Sequence, residues 1–108
     1  MRVEISAEDQ ALMRGAHADL EPVLDAFVRD PRLDLARVSI TSGVAVVDGY
    51  HKDGTGATSV FGASVCKDHD PKKVAYVVVN RILERMGKRD RKAPSSDRKH
   101  LGDIWVPR

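Results

Sequence analysis

The 108-residue chain is long enough for one domain with one shallow core, and its 42% hydrophobic and 31% charged composition excludes a disordered chain. No run of about 18 apolar residues is present to span a membrane, and the single cysteine, Cys66, excludes an internal disulfide framework and a multi-cysteine zinc site. The formal charge of +2 hides a split: residues 88–108 carry seven basic and three acidic residues, residues 1–87 eleven and thirteen.

The opening Met1-Arg2-Val3-Glu4-Ile5 has neither the apolar core nor the cleavage pattern of a signal peptide, so a cytoplasmic location is expected. Val3 and Ile5 alternate with polar residues, which allows a short strand. Ser6 then has the chemistry of an N-cap, with Glu8 and Asp9 in an acidic first turn. Leu12 and Met13 anchor a short helix that runs out near Gly15. A second helix is predicted from Asp19, which puts Pro22 in its first turn. Leu20, Val23, Leu24, Phe27 and Val28 follow the spacing of one helix face. Alternatively, a single helix covers 7–29 with a kink at Pro22. Asp30-Pro31 ends it in either case.

Three strands are predicted next. Residues 37–41 put Val38 and Ile40 on one face. Residues 43–51 contain Val44, Val46 and Val47. Residues 57–67 put Phe61, Ala63 and Val65 on one face. Ser42-Gly43 suits a tight turn, and 52–56 a hairpin loop with glycines free for positive φ. Centring that hairpin near Gly54 makes paired residue numbers sum to about 108 and sets Cys66 opposite Ser42 or Gly43. Asp70 and Pro71 then open a helix over 71–86. Its core stripe is Ala75, Val78, Val79, Ile82 and Met86, and Gly87 suits its end.

The expected fold is therefore α+β: a three-stranded antiparallel meander with helices packed on one face, in α-β-β-β-α order. Residues 1–87 form the domain and 88–108 a basic C-terminal tail. Within the tail, 88–95 reads as a linker, and Asp97–Leu101 as a one-turn helix. Ile104, Trp105 and Val106 are costly to leave in water, so they either dock back on the domain or anchor a partner.

This order is similar to that of double-stranded-RNA-binding domains, which also open their last helix with a lysine pair followed closely by alanine, as in Lys72-Lys73-Val74-Ala75. The resemblance covers about residues 19–87 and implies contact with a duplex backbone. In that family a Gly-rich turn leads almost directly into the lysines and a basic residue follows the alanine; here Val65–Asp70 intervene and Tyr76 follows Ala75.

A helix start is an anion site by its free N–H groups and its dipole. Carboxylates belong in a first turn; Lys72 and Lys73 instead gather positive potential there. Arg81, Arg85, Lys88 and Arg89 avoid the apolar stripe and extend the basic surface. Together these six residues are the expected anion or nucleic-acid site, engaged by phosphate contacts that salt would weaken. Aromatic residues are 5% of the chain and form no row, which disfavours single-strand stacking.

The competing reading is a protein-interaction adaptor or small inhibitor. It would use Trp105 with Arg108, Tyr76 with Arg85, or an edge strand that also offers a homodimer.

An enzyme is not expected, since no catalytic groups converge. Cys66 and His69 are the one thiol–imidazole neighbourhood, and His51, about 30 Å along the strand, is out of reach. No metal or cofactor is expected, because Cys66, Asp68, His69 and Asp70 lack a second ligand pair.

Overall fold

The computed structural model describes residues 1–89 and 103–105, with side chains for 1–87. In chain order it contains β1 (Arg2–Ile5), α1 (Ala7–Arg14), a 3-10 turn (Ala18–Leu20), α2 (Glu21–Val28), β2 (Leu35–Thr41), β3 (Val44–Tyr50), β4 (Gly56–Gly62), α3 (Ala63–Asp68), α4 (Pro71–Arg89) and β5 (Asp103–Trp105). The α+β class holds. So does the division of the first helical region: Ser6 caps α1 by accepting from the Asp9 N–H at 3.2 Å, and Pro22 lies in the first turn of α2.

The sheet differs from the expected meander. β2, β3 and β4 are antiparallel neighbours, but the sheet is five-stranded and mixed, in the order β4-β3-β2-β1-β5. β1 runs parallel to β2, with Val3 opposite Ala36 and Ile5 opposite Val38. A parallel pair needs a long crossover, and the helical segment between Ile5 and Leu35 supplies it. β5 adds antiparallel to β1, setting Trp105 opposite Val3. The linker at 88–95 and the one-turn helix at Asp97–Leu101 lie outside the described residues, apart from the backbone of Lys88 and Arg89 in α4.

Three boundaries and one register are corrected. The strand expected over 57–67 ends at Gly62, and Ala63 to Asp68 form a helix. The alternation of Phe61, Ala63 and Val65 masks a change to helical spacing: Cys66 is buried, while Val65 is exposed. The β3–β4 register pairs Val44 with Gly62 and Tyr50 with Gly56, two residues short of the expected sum. Helix α4 continues through Gly87 to Arg89. The second helix begins as a 3-10 turn at Ala18, with α-helix from Glu21.

The tight turn between β2 and β3 is as expected, with positive φ at both Ser42 and Gly43, the conformation that fits strand twist. In the β3–β4 loop, Asp53 accepts from the Thr55 N–H and hydroxyl at 2.9 and 2.6 Å. Those donors hold its carboxyl below the usual carboxylate range.

All four helices feed one core on one face of the sheet. Met13 of α1, Phe27 of α2, Cys66 of α3 and the α4 stripe pack with Val3, Ile5, Ala36, Val38, Ala45, Val47 and Phe61. Phe27 meets Phe61 edge to face, with centroids 6.3 Å apart. All five residues of the predicted α4 stripe are buried.

One polar atom on this face has no partner among the described residues. The Ser59 hydroxyl is buried on β4, opposite Val47. A hydroxyl desolvated without a hydrogen bond is destabilising, so Ser59→Ala is expected to raise stability by about 1 kcal/mol in urea unfolding. No change or a loss would mean that the hydroxyl is satisfied in solution.

Candidate functional site

Asp70 closes the start of α4. Its side chain accepts from the Lys72 N–H at 3.3 Å, and its carbonyl accepts from the Val74 N–H at 3.1 Å. One free donor of the expected phosphate site is thus engaged by the chain's own carboxylate. Lys72 and Lys73 are both exposed, but they serve different surfaces.

Lys72 faces a groove of about 640 Å³ between α2 and the start of α4, along with Arg29, Asp30, Arg32 and Tyr76. There Arg32 is held rather than free. Its guanidinium bonds Asp30 at 2.7 Å and the Asn80 side chain, and it lies 4.5 Å from the Tyr76 ring centroid. Tyr76, expected beside Arg85, therefore stacks on Arg32 instead, with 58% of its surface exposed.

The Arg32 guanidinium, helped by the Arg32 backbone N–H, holds the Asp30 carboxyl below the usual carboxylate range, and Asp30 raises Arg32 in turn. A depressed carboxyl adds stability that is complete above its ordinary value of 3.8 and is lost as pH falls through the folded value. Asp30→Asn is expected to cost about 1 kcal/mol at neutral pH, and the gap from wild type should close below about pH 4. Denaturant melts at several pH values check this; a gap independent of pH would reject the ion pair as its cause.

Lys73 faces the other side, a groove of about 420 Å³ between α4, α3 and β4. Phe61, Val74 and Val78 form its base, and Val60, Val65 and Val77 line it while remaining 49%, 39% and 44% exposed. Arg81 lies on its rim with His69. Lys73, Val77, Arg81 and Arg85 recur every four residues along α4 and are all exposed, so they form one row on the helix. Arg85 reaches across and donates to the Thr58 carbonyl of β4.

Of the six expected anion-site residues, the fold thus brings Lys73, Arg81 and Arg85 together and turns Lys72 away. The side chains of Lys88, Arg89, Trp105 and Arg108 lie outside the described ones. The three valines beside the row were missed at the sequence level. The only signal was Val77, which falls one position off the buried stripe.

Cys66 and His69 are not brought to bear on each other. The Cys66 thiol is buried and faces the Gly62 carbonyl at 4.0 Å, while His69 Nδ1 donates to the Val65 carbonyl at 3.1 Å. Burial, with a smaller push from the Asp19 carboxylate, raises the thiol above its ordinary value, the reverse of what activates a nucleophile. Among the described residues, no group of three or more His, Cys, Asp or Glu side chains is placed to hold a metal. No helix there is long and apolar enough to cross a membrane.

Compared with known proteins, the chain matches no family model, no curated protein and no solved structure.

Proposed function

We propose that this chain is a non-enzymatic binding module and that the side formed by α4 and β4 holds an anionic partner. The observation that carries this reading is the row of Lys73, Arg81 and Arg85 beside a groove walled by exposed valines. Cations and aliphatic surface at one place give both long-range attraction and burial, the two ingredients of a specific contact.

A duplex backbone would use the same three cations, with contacts that weaken steeply in salt. It would gain nothing from Val60, Val65 and Val77, and it would meet Asp70 at the helix start. The aliphatic wall therefore favours a protein as the anionic partner, with duplex nucleic acid as the second reading.

Fluorescence anisotropy separates them. Labelled duplex RNA, labelled duplex DNA and a labelled glutamate-rich peptide are titrated at about 50 and 200 mM salt. Wild type is compared with Lys73→Glu/Arg81→Glu. At least one ligand should bind at low salt and weaken at least about tenfold on charge reversal. Binding of none at low salt, or equal binding by the variant, would overturn the proposal.

A further inference from the structure

The occupant of the groove can be specified from the ladder geometry of β4. This strand is one edge of the sheet. The Ala63 N–H donates to Gly43 and the His51 N–H to Thr55, both inside the β3–β4 hairpin. Ala57, Ser59 and Phe61, in step with Ala63, therefore turn their backbone groups towards β3. Thr58 and Val60 then direct N–H and C=O to the outer edge, in agreement with Arg85 reaching the Thr58 carbonyl from that side. Among the described residues no strand pairs with this edge.

An edge that no described strand pairs with, beside an apolar groove, is a template for an added strand. We infer that the partner's contact segment is an extended stretch of alternating apolar and acidic residues, which adds to β4 as a further strand. This inference rests on the proposed function and gives its partner a conformation. The backbone of the segment takes up the outward groups of Val60. Successive side chains of an added strand point to opposite faces of the sheet, so its apolar side chains cover Val60, which is in step with Thr58 on the face away from the helices, and its carboxylates point to Lys73, Arg81 and Arg85 on the α4 side. In the free protein Arg85 caps the Thr58 carbonyl. It swings to a carboxylate when the strand arrives, so the edge is covered when empty and released when filled.

Charge decides against a second copy of this chain. Pairing β4 with β4 would bring two cationic rims together and desolvate like charges, which is costly.

The test uses the full chain and labelled peptides of about ten residues, alternating valine and glutamate in either phase. A matched peptide has every second backbone nitrogen methylated, which keeps its charges and removes its strand donors. Wild-type protein should bind the unmodified peptide, lose at least about tenfold with the methylated one, and lose a similar factor on Lys73→Glu/Arg81→Glu. Isotope-edited infrared spectra of the bound peptide should show strand absorption.

Equal binding of the methylated peptide, with charge reversal still effective, would overturn strand addition and leave the anionic site standing. Binding of duplex nucleic acid but no peptide would overturn the inference and leave the proposed function in its second form. Failure of every ligand would overturn both. Sedimentation showing a dimer that dissociates on Val60→Glu would assign the edge to a second copy, against the inference.

Discussion

Gly49→Ala is expected to destabilise the protein by about 2 kcal/mol, which for a domain of this size lowers the melting temperature by about 10 °C. Gly49 is in the middle of β3, opposite Ala36 and Ala57, on the face covered by helices. A Cβ added there would come within 2.8 Å of Ile82 Cγ2 and of Leu33 Cδ1, and 3.1 Å of Ile82 Cδ1. Both neighbours are fully enclosed, so neither has space to retreat. The Leu33 methyl is the end of its side chain and can rotate a little. The Ile82 Cγ2 methyl is branched at Cβ and fixed by the helix, so relief requires α4 to move off the sheet. Such movement opens the packing of Val78, Val79 and Met86 along with it.

The cause is separable from any change in strand propensity. In an Ile82→Ala background the new methyl enters vacated space. Gly49→Ala should then cost far less than in wild type, giving a coupling of at least about 1 kcal/mol in a double-mutant cycle. An additive pair would refute the contact. Because α4 carries Lys73, Arg81 and Arg85, the same substitution should also weaken ligand binding at the α4–β4 groove at temperatures where the variant remains folded.

How far the sequence foretold this arrangement depends on which physical signal each element carries. Helix α4 was legible because its apolar residues repeat at helical spacing over several turns, and the burial of Ala75, Val78, Val79, Ile82 and Met86 follows from that alone. The β2–β3 turn was legible because Ser42-Gly43 is chemistry for positive φ. The extent of the sheet was not. β1 is four residues long, and its partner is reached only after both α1 and α2, so nothing local announces a parallel pair. β5 is three residues and pairs across about a hundred positions of sequence.

The end of β4 was misread because Phe61, Ala63 and Val65 satisfy a period of two, while Ala63 and Cys66 satisfy a period near three. Only the tertiary packing of Cys66 against the core chooses between them. The candidate site was legible as a set of cations but not as a surface. Lys72 and Lys73 are adjacent in sequence, yet adjacent helix positions point about 100° apart, and the neighbouring grooves divide them. The exposed valines gave little warning, since an aliphatic side chain at the rim of a stripe is ordinarily taken as core.

Arg37→Met is expected to cost about 3 kcal/mol, because it removes the hydrogen-bonded guanidinium from an enclosed carboxylate. On the sheet face away from the helices, Arg37 Nε donates to Glu4 Oε1 at 2.9 Å, and the Glu4 side chain is only 5% exposed. The parallel register of β1 and β2 puts the two residues side by side, with Asp48 of β3 on the other flank of Arg37 and bonded in turn by the Thr58 hydroxyl. The guanidinium also lies 5.9 Å from the Tyr50 ring centroid. That ring covers Gly56, where an added Cβ would stand 2.4 Å from it. Arg37 is thus the cation between two carboxylate-bearing strands and next to the aromatic cover of a third.

Methionine retains much of its aliphatic contact with Tyr50 and removes only the charge and the donors, so the loss measures electrostatics rather than packing. A buried ion pair is expensive to break from one side and much less so to replace from both. Glu4→Leu/Arg37→Met should accordingly recover to within about 1 kcal/mol of wild type, whereas each single variant is strongly destabilised. Urea unfolding of the four proteins gives the coupling directly. If the double variant is as unstable as the sum of the singles, the pair does not join β1 to β2, and the parallel pair is held by its backbone ladder and the packing of Val3 and Ile5.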